Sequence, residues 1–382
     1  MRTDPAYIDN REGLAELAHL VGDAGEVAVD CEAAGYHRYS DRACLVQIAT
    51  GGSAFVIDVL AEGTAEMAGK LLGRLLGDPG RRTLMHGGSF DLRLLRRDLG
   101  VMVGHVFDTQ VAASFLGETA TGLQALLERH LDVVLGKKYQ RADWAARPLT
   151  GEMIEYAAAD VLHLERLAER LEERLAGLGR TAWVEEECSR MLLAASEPPA
   201  EAEVDPISRI RAAKKFAPRE VTALRRAVAW RDRVARSRDR APFRVATDAA
   251  LIEAVLASPT TVHELRGVRG FPRRGSPSEA RALLGELAAA RRLPERSLES
   301  YPAPTGRERR LTPEEKAVLA RLSAVRNEAA TRLGLERGRV MPNQVLRALA
   351  RLAPSSLSEL RDVPELRRWQ VALLGRELLA AL

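Results

Sequence analysis

Four acidic residues and one tyrosine have the types and spacing that hydrolytic chemistry needs. Asp30 ends the apolar run VAVD and Glu32 follows two residues later, so both side chains can project to one face of a strand. Asp91 follows a glycine pair, in the first turn of a predicted helix. Tyr156 and Asp160 lie one helical turn apart in EYAAAD, where three small alanines would let a substrate come close. Singly, each acid could instead cap a turn, complement a helix dipole or lie at the surface.

Together these side chains suit the hydrolysis of a phosphodiester bond. That reaction places negative charge on the attacking and leaving oxygens, and two divalent ions about 4 Å apart can stabilise both. Mg²⁺ and Mn²⁺ prefer oxygen ligands, so several carboxylates from different elements are the expected ligand set. Tyr156, one turn from such a ligand, could orient the attacking water by a hydrogen bond. The residues therefore favour a two-metal hydrolytic site.

Strands and helices must bring these residues together. Short apolar or β-branched runs predict five strands, at 27–30, 43–50, 54–60, 82–87 and 105–108. Helical patterns cover 65–77, 89–99 and about 151–176, the last of which contains EYAAAD. Three strands in succession, followed by strand–helix alternation, predict a mixed sheet with helices packed on it.

The second half of the chain is helical in pattern and contains an internal duplication. Ten residues recur at a spacing of 95 in one ungapped register, as a comparison of SPTTVHELRGV with APSSLSELRDV illustrates. Pro-rich stretches separate the predicted units. We therefore predict an α/β domain at 1–194, a linker at 195–206, a helical domain at 207–292, a linker at 293–310 and a second helical copy at 311–382.

Charge divides unevenly between the two halves. Residues 1–200 contain 21 Lys and Arg against 31 Asp and Glu, a balance of −10, whereas residues 201–382 contain 36 against 22, a balance of +14. The basic half favours a polyanionic partner, although a bias toward arginine would give the same surplus without any ligand.

The remaining composition points to a cytoplasmic protein. Cys31, Cys44 and Cys188 are odd in number and widely spaced, which indicates buried thiols in a reducing compartment rather than disulfides or a zinc site. The sequence has neither a long apolar run that would span a membrane nor a signal-peptide pattern at its start.

Longer motifs around the acids resemble a known family. VAVDCEA, MHGGSFDL and EYAAAD resemble the three exonuclease motifs of the DEDD superfamily, in its tyrosine-bearing subclass. CLVQIAT, FDTQVAASFLG and QRADWAARPLTGEMIEYAAADVLHL are similar to the ribonuclease D family. The duplicated half resembles two helicase-and-RNase-D C-terminal (HRDC) domains, so the resemblance covers nearly the whole chain.

This resemblance implies a ribonuclease-H-like α/β exonuclease domain followed by two all-α HRDC-like domains. It implies 3′-to-5′ hydrolysis of RNA to nucleoside monophosphates, with two Mg²⁺ or Mn²⁺ ions as cofactors. It carries the metal-ligand role to Asp30, Glu32, Asp91 and Asp160, and the water-positioning role to Tyr156. The expected partners are single-stranded RNA 3′ ends, including tRNA precursors, and we favour a monomer.

Two other functions remain open at this stage. Related folds act on DNA, and HRDC domains also occur in DNA helicases, so a DNA 3′-to-5′ exonuclease is an alternative. A nucleic-acid-binding protein with an inert nuclease core is a third possibility, but it would have lost a carboxylate, and all four acids and the tyrosine are present.

Basic residues near these motifs are candidates for nucleic-acid contacts. The stretch GKKYQRADW lies close to the catalytic helix in sequence, and RDRVARSRDR is a dense arginine run in the first helical copy. Either stretch could instead be solvated surface, although the two HRDC-like copies favour nucleic-acid binding for the arginine run. The candidate residues are Lys137, Lys138, Arg141, Arg231, Arg233 and Arg236.

Three further polar residues have simpler expected roles. His86 precedes the glycine pair, and we expect it to pack or hydrogen-bond at a strand end, because hard cations with oxygen ligands have little use for imidazole. Asp108 in FDTQ is expected to cap a helix rather than to bind metal. His37 follows the first motif, and we expect it in a solvated loop, with a phosphate contact as the alternative.

Overall fold

The computed structural model describes residues 4–197, 205–273, 275–303 and 309–382. These residues form two compact units. Unit 1 contains the described residues of 1–32, 43–198 and 309–382, and unit 2 contains those of 33–42 and 199–308. Within the described residues, no helix is both long and apolar enough to cross a membrane. Parts of both predicted linkers, residues 198–204 and 304–308, lie outside the described residues.

A six-stranded sheet forms the framework of unit 1, in the order β1-β4-β3-β2-β5-β6. The strands are β1 (Ala6–Ile8), β2 (Glu26–Ala33), β3 (Ala43–Thr50), β4 (Ser53–Asp58), β5 (Arg82–Met85) and β6 (Val106–Asp108). β3 and β4 are antiparallel, whereas β1 with β4, β2 with β5 and β5 with β6 are parallel. The predicted mixed sheet is confirmed.

Helices cover the sheet because its strands are apolar on both faces. β3 is buried along all but its last residue, and parallel or mixed sheets of this composition need cover on each side. The helices are α1 (Arg11–Val21), α2 (Thr64–Leu76), α3 (Ser89–Leu99), α4 (Thr109–Phe115), α5 (Leu123–Leu131), α6 (Gly151–Leu162), α7 (Leu164–Gly177) and α8 (Thr181–Ser196).

Two details differ from the sequence prediction. The helix predicted at about 151–176 is two helices, because His163 leaves helical geometry (φ −108°, ψ 1°) between α6 and α7. β1 was not predicted, since three residues are too few to show an alternating pattern. The break at His163 ends α6 shortly after Asp160.

Both helical copies contain five helices in the same order. The first copy, in unit 2, follows two 3₁₀ turns and comprises α9 (Pro218–Ser237), α10 (Pro242–Val245), α11 (Asp248–Ala257), α12 (Val262–Gly267) and α13 (Pro277–Arg292). The second, in unit 1, comprises α14 (Pro313–Leu333), α15 (Arg337–Val340), α16 (Asn343–Leu352), α17 (Leu357–Arg361) and α18 (Arg368–Ala381). The first four helices start 95 residues apart, but the last pair starts 91 apart because the turn before α13 is longer.

The duplication extends to individual contacts. Arg231 Nη1 donates to the Ala246 carbonyl and the Asp248 side chain. Its counterpart Arg326 donates in the same way to the Met341 carbonyl and the Asn343 side chain. Each arginine therefore ties the first helix of its copy to the start of the third, which gives Arg231 a structural role within its domain.

Candidate active site

β2 places Asp30 and Glu32 side by side. Alternation along the strand puts these two carboxylates on one face and the buried Cys31 on the other. The thiol therefore adds to the packing of the sheet, and its position does not separate the two acids. Both acids line a cavity of about 560 Å³.

Asp91 reaches the same region from the start of α3. The turn before this helix requires glycine, because Gly87 has a left-handed φ of 66° and a Cβ on Gly88 would lie 2.7 Å from the Met85 sulfur. The Gly88 amide donates to Asp108 Oδ2 at 2.8 Å, which fixes the turn. Asp91 is buried at 7% exposure.

α6 brings Tyr156 and Asp160 to the cavity. The helix begins at the Thr150 cap, and both side chains line the cavity together with Asp30 and Glu32. Ala157 and Ala158 are buried, and α6 packs on β3 and β4. The idea that the alanines make room for substrate is therefore wrong for these two residues, whose small side chains let the helix pack closely on the sheet.

Electrostatics mark the four acids as one group. Burial, followed by repulsion from Asp160, raises the pKa of Asp30 to about 7. Burial and the neighbouring acids raise the pKa of Glu32 to about 9 and that of Asp91 to about 8. Burial alone raises the pKa of Asp160 to about 6. Buried carboxylates that repel one another have a high affinity for positive charge.

Comparison with known proteins identifies the family to which the chain belongs. The family model described as 3′-5′ exonuclease matches residues 5–176, and the HRDC domain model matches residues 221–292 and 315–382. Ribonuclease D of Granulibacter bethesdensis is 31% identical over 384 residues, which cover 98% of this chain and 92% of that protein. The chain belongs to the ribonuclease D family. The exoribonuclease class expected from the sequence is thereby confirmed.

Solved structures support the same assignment of the fold. A protein from Bifidobacterium adolescentis superposes with a TM-score of 0.78 at 25% identity, covering 99% of this chain and 96% of that one. Escherichia coli RNase D superposes with a TM-score of 0.66 over 99% of this chain and 98% of that one, and at 24% identity this likeness concerns the fold alone. The α/β domain followed by HRDC domains is thus the ribonuclease D architecture.

The donor chemistry of the site fits divalent metal ions, which enzymes of this family generally use. The four predicted ligands offer only carboxylate oxygens, the donors that Mg²⁺ and Mn²⁺ prefer. Within the part of the chain that the structure describes, no three acid, histidine or cysteine side chains form a ready-made coordination sphere. With pKa values of about 9 and 8, Glu32 and Asp91 hold protons at neutral pH in the absence of metal, and a bound cation would displace those protons.

Two aromatic rings hold Tyr156 in this ribonuclease D site. Trp144 stacks on Tyr156 with ring centroids 6.1 Å apart, and Tyr139 contacts it edge-on at 6.0 Å. Burial and the nearby carboxylates raise the pKa of the Tyr156 phenol. The hydroxyl is therefore neutral at physiological pH and can both donate and accept hydrogen bonds.

A buried ion pair, which the sequence analysis missed, fixes the segment that precedes α6. Arg147 forms two hydrogen bonds with the Asp58 carboxylate, at 2.5 and 2.6 Å, and Tyr7 donates to the same carboxylate at 2.5 Å. Arg147 also donates to the Trp144 carbonyl at 2.7 Å. Asp58 is an acid at the end of an apolar strand, and Asp30 lies near the end of another. This pattern in the sequence could have identified Asp58 as a candidate.

The basic candidates near the site occupy different positions. Lys137 lines the cavity, whereas the exposed Lys138 forms an ion pair with Glu152 at 2.5 Å. Arg141 is exposed on the same segment. In unit 2, Arg233 pairs with Glu286 and Arg236 with Asp232 on the exposed surface of α9. Whether these residues contact nucleic acid stays a prediction.

The polar residues with simpler expected roles behave largely as predicted. Asp108 caps α4 by accepting from the Gln110 and Val111 amides at 2.9 Å. His86 lines the cavity and contacts Thr109 Oγ1 through Nδ1 at 2.9 Å, and burial lowers its pKa. The predicted hydrogen-bonding role of His86 is therefore confirmed. His37 belongs to unit 2, where Arg244 contacts its Nε2 at 3.3 Å.

Proposed function

We propose that this protein shortens RNA from the 3′ end by a two-metal mechanism and releases nucleoside 5′-monophosphates. The observation that carries the proposal is the convergence of Asp30, Glu32 and Asp160 with Tyr156 on one cavity, beside the electrostatically coupled Asp91. Burial and repulsion between neighbouring acids raise the pKa values of Asp30 and Glu32, and burial raises that of Asp160, which supports a role in binding cations.

Each residue has a distinct role in this proposal. Asp30, Glu32, Asp91 and Asp160 would hold two Mg²⁺ or Mn²⁺ ions. When bound, the ions stabilise negative charge on the attacking and leaving oxygens. The neutral Tyr156 hydroxyl orients the attacking water, and the contacts with Trp144 and Tyr139 limit its rotation.

The substrate we propose is RNA with a single-stranded 3′ end, and tRNA precursors are the first class to test. Similarity to ribonuclease D along 98% of the chain supports RNA over DNA. Lys137, which lines the cavity, would contact the backbone of a bound strand, and Lys138, Arg141, Arg233 and Arg236 would add weaker phosphate contacts. We expect the enzyme to act as a cytoplasmic monomer.

The test compares a tRNA precursor carrying an extended 3′ end with matched RNA and DNA single strands, each labelled at the 5′ end. A ladder shortening from the 3′ end on RNA, with nucleoside 5′-monophosphates as the released product, is the expected result. Activity mainly on DNA would instead support the alternative function, a DNA 3′-to-5′ exonuclease. Release of 3′-monophosphates or internal cleavage would contradict the proposed chemistry.

A further inference from the structure

Unit 2 exposes two aromatic rings beside a group of arginines. Tyr36 is 41% exposed and Phe243 is 46% exposed, and their ring centroids lie 5.5 Å apart at an angle of 53°. Both residues belong to unit 2, in which residues 33–42 pack with the helices of that copy. Rings of this size usually gain free energy by burial, so two exposed neighbours suggest a binding surface.

Arg244 holds the two rings in a fixed arrangement. Its guanidinium carbon lies 4.8 Å from the Tyr36 ring centre and 5.7 Å from that of Phe243. Arg244 Nε also donates to the Tyr36 carbonyl at 2.8 Å. The rings therefore offer stacking faces with little conformational entropy left to lose on binding.

The segment that carries Tyr36 is itself anchored at several points. The Ala241 amide donates to the His37 carbonyl at 3.1 Å. The Tyr39 hydroxyl donates to Asp232 at 2.9 Å and accepts from Arg236 at the same distance. The position of Tyr36 on this surface is thus fixed by the helical copy and not by a loose loop.

Next to the rings lies a small cavity of about 80 Å³ that is lined by arginines. Arg244 lines this cavity too, and four arginines face a single acid there, Glu279, which is paired with Arg238. The cavity can therefore accept one small anionic group, such as a phosphate of a nucleic-acid backbone. The four arginines are Arg238, Arg240, Arg244 and Arg266.

We propose that Tyr36, Phe243 and Arg244 form a stacking platform for bases of single-stranded RNA, with the neighbouring arginine cavity holding a backbone phosphate. Exposed rings that stack on bases, next to cations that bind phosphates, are the combination by which proteins bind single strands without sequence preference. The inference rests on the proposed function, because it assigns the surface to RNA upstream of the 3′ end.

Binding is measured with the full chain in EDTA, so that cleavage does not interfere. The probe is a fluorescent single-stranded RNA of about 20 nucleotides, long enough to extend beyond a single binding site. Phe243→Leu should weaken binding about 5- to 100-fold, whereas Phe243→Trp should retain it, because only an aromatic ring can stack. Arg240→Gln should reduce the slope of log Kd against log salt concentration by about 1.

Two control variants match the test variants within unit 2. Leu256→Ala removes another exposed apolar side chain, on α11, and Arg292→Gln removes an exposed arginine at the end of α13. Both should bind RNA like the wild type. An RNA with abasic residues should bind the wild type more weakly and should bind Phe243→Leu with little further loss.

Equal affinity of the wild type and Phe243→Leu for the RNA would overturn the proposal. The exposed rings would then be a candidate binding surface for a protein partner. The same conclusion follows if Leu256→Ala loses as much affinity as Phe243→Leu. Because no divalent ion is present, failure of this test is distinct from failure of the nuclease proposal, which concerns cleavage.

Discussion

Without divalent ions, rising pH should destabilise unit 1, because its partly or fully buried acids must then ionise next to one another. Asp160 shows the sign most simply. Its folded-state pKa of about 6 lies above the ordinary value of 3.8, so its contribution to stability is complete below pH ~4 and is lost as the pH rises through ~6. Asp30, with a pKa of about 7, extends the same loss to higher pH.

The magnitude follows from the shift of a single acid. A displacement of about two pKa units corresponds to about 3 kcal/mol, at 1.36 kcal/mol per unit. The four acids do not contribute independently, because repulsion from another member of the group is part of the pKa shifts of Asp30, Glu32 and Asp91. We therefore expect a total above 3 kcal/mol but below the sum of four separate shifts.

The assay is urea unfolding of the wild type and Asp160→Asn at about pH 4 and about pH 8, with and without Mg²⁺. In EDTA, the variant should become more stable than the wild type by up to about 3 kcal/mol at the higher pH. Mg²⁺ should stabilise the wild type more than the variant. Glu155→Gln, which alters an exposed acid on the same helix, is the control.

The reasoning is refuted if the difference between the wild type and Asp160→Asn does not change with pH in EDTA. It is also refuted if Mg²⁺ stabilises both proteins equally. The first result would mean that the environment of Asp160 does not resist ionisation, and the second would mean that Asp160 does not bind the ion.

Three further substitutions test the positioning of the site. Tyr156→Phe should lower kcat by about 10²-fold with little change in RNA affinity, and near-wild-type turnover would exclude a role for the hydroxyl. Asp58→Ala should destabilise the protein by about 3 kcal/mol, because it leaves Arg147 unpaired, and should lower kcat even in the folded fraction; unchanged kinetics would separate the ion pair from catalysis. Trp369→Ala should cost about 3 to 5 kcal/mol in urea unfolding, because the ring stacks on Trp183 at 4.7 Å; a loss below ~1 kcal/mol would contradict that packing role.

Local patterns were sufficient to predict the elements that carry the candidate site residues. The two-residue spacing of Asp30 and Glu32 and the four-residue spacing of Tyr156 and Asp160 fix which side chains share a face, whatever surrounds them. The antiparallel pairing of β3 and β4, which the sequence analysis did not specify, follows from the two-residue turn at 51–52 that joins them. The 95-residue repeat likewise predicted two equivalent helical copies.

Contacts between distant residues could not be read from such patterns. Asp58 and Arg147 are 89 positions apart, and no periodicity links them. The burial of Ala157 and Ala158 depends on which face of α6 meets the sheet, a choice made by tertiary packing. The sequence predicted Arg231 as part of a basic surface, but its side chain forms hydrogen bonds with Ala246 and Asp248 of its own helical copy.

The central claim is that four carboxylates and one tyrosine form a metal-dependent exoribonuclease site. The most direct test is a time course on 5′-labelled single-stranded RNA, comparing the wild type, Asp160→Asn and Glu155→Gln in Mg²⁺, Mn²⁺ and EDTA. We predict a ladder shortening from the 3′ end for the wild type and Glu155→Gln with either metal, and no cleavage in EDTA or by Asp160→Asn. Cleavage by Asp160→Asn at the wild-type rate, or wild-type cleavage that persists in EDTA, would contradict the account.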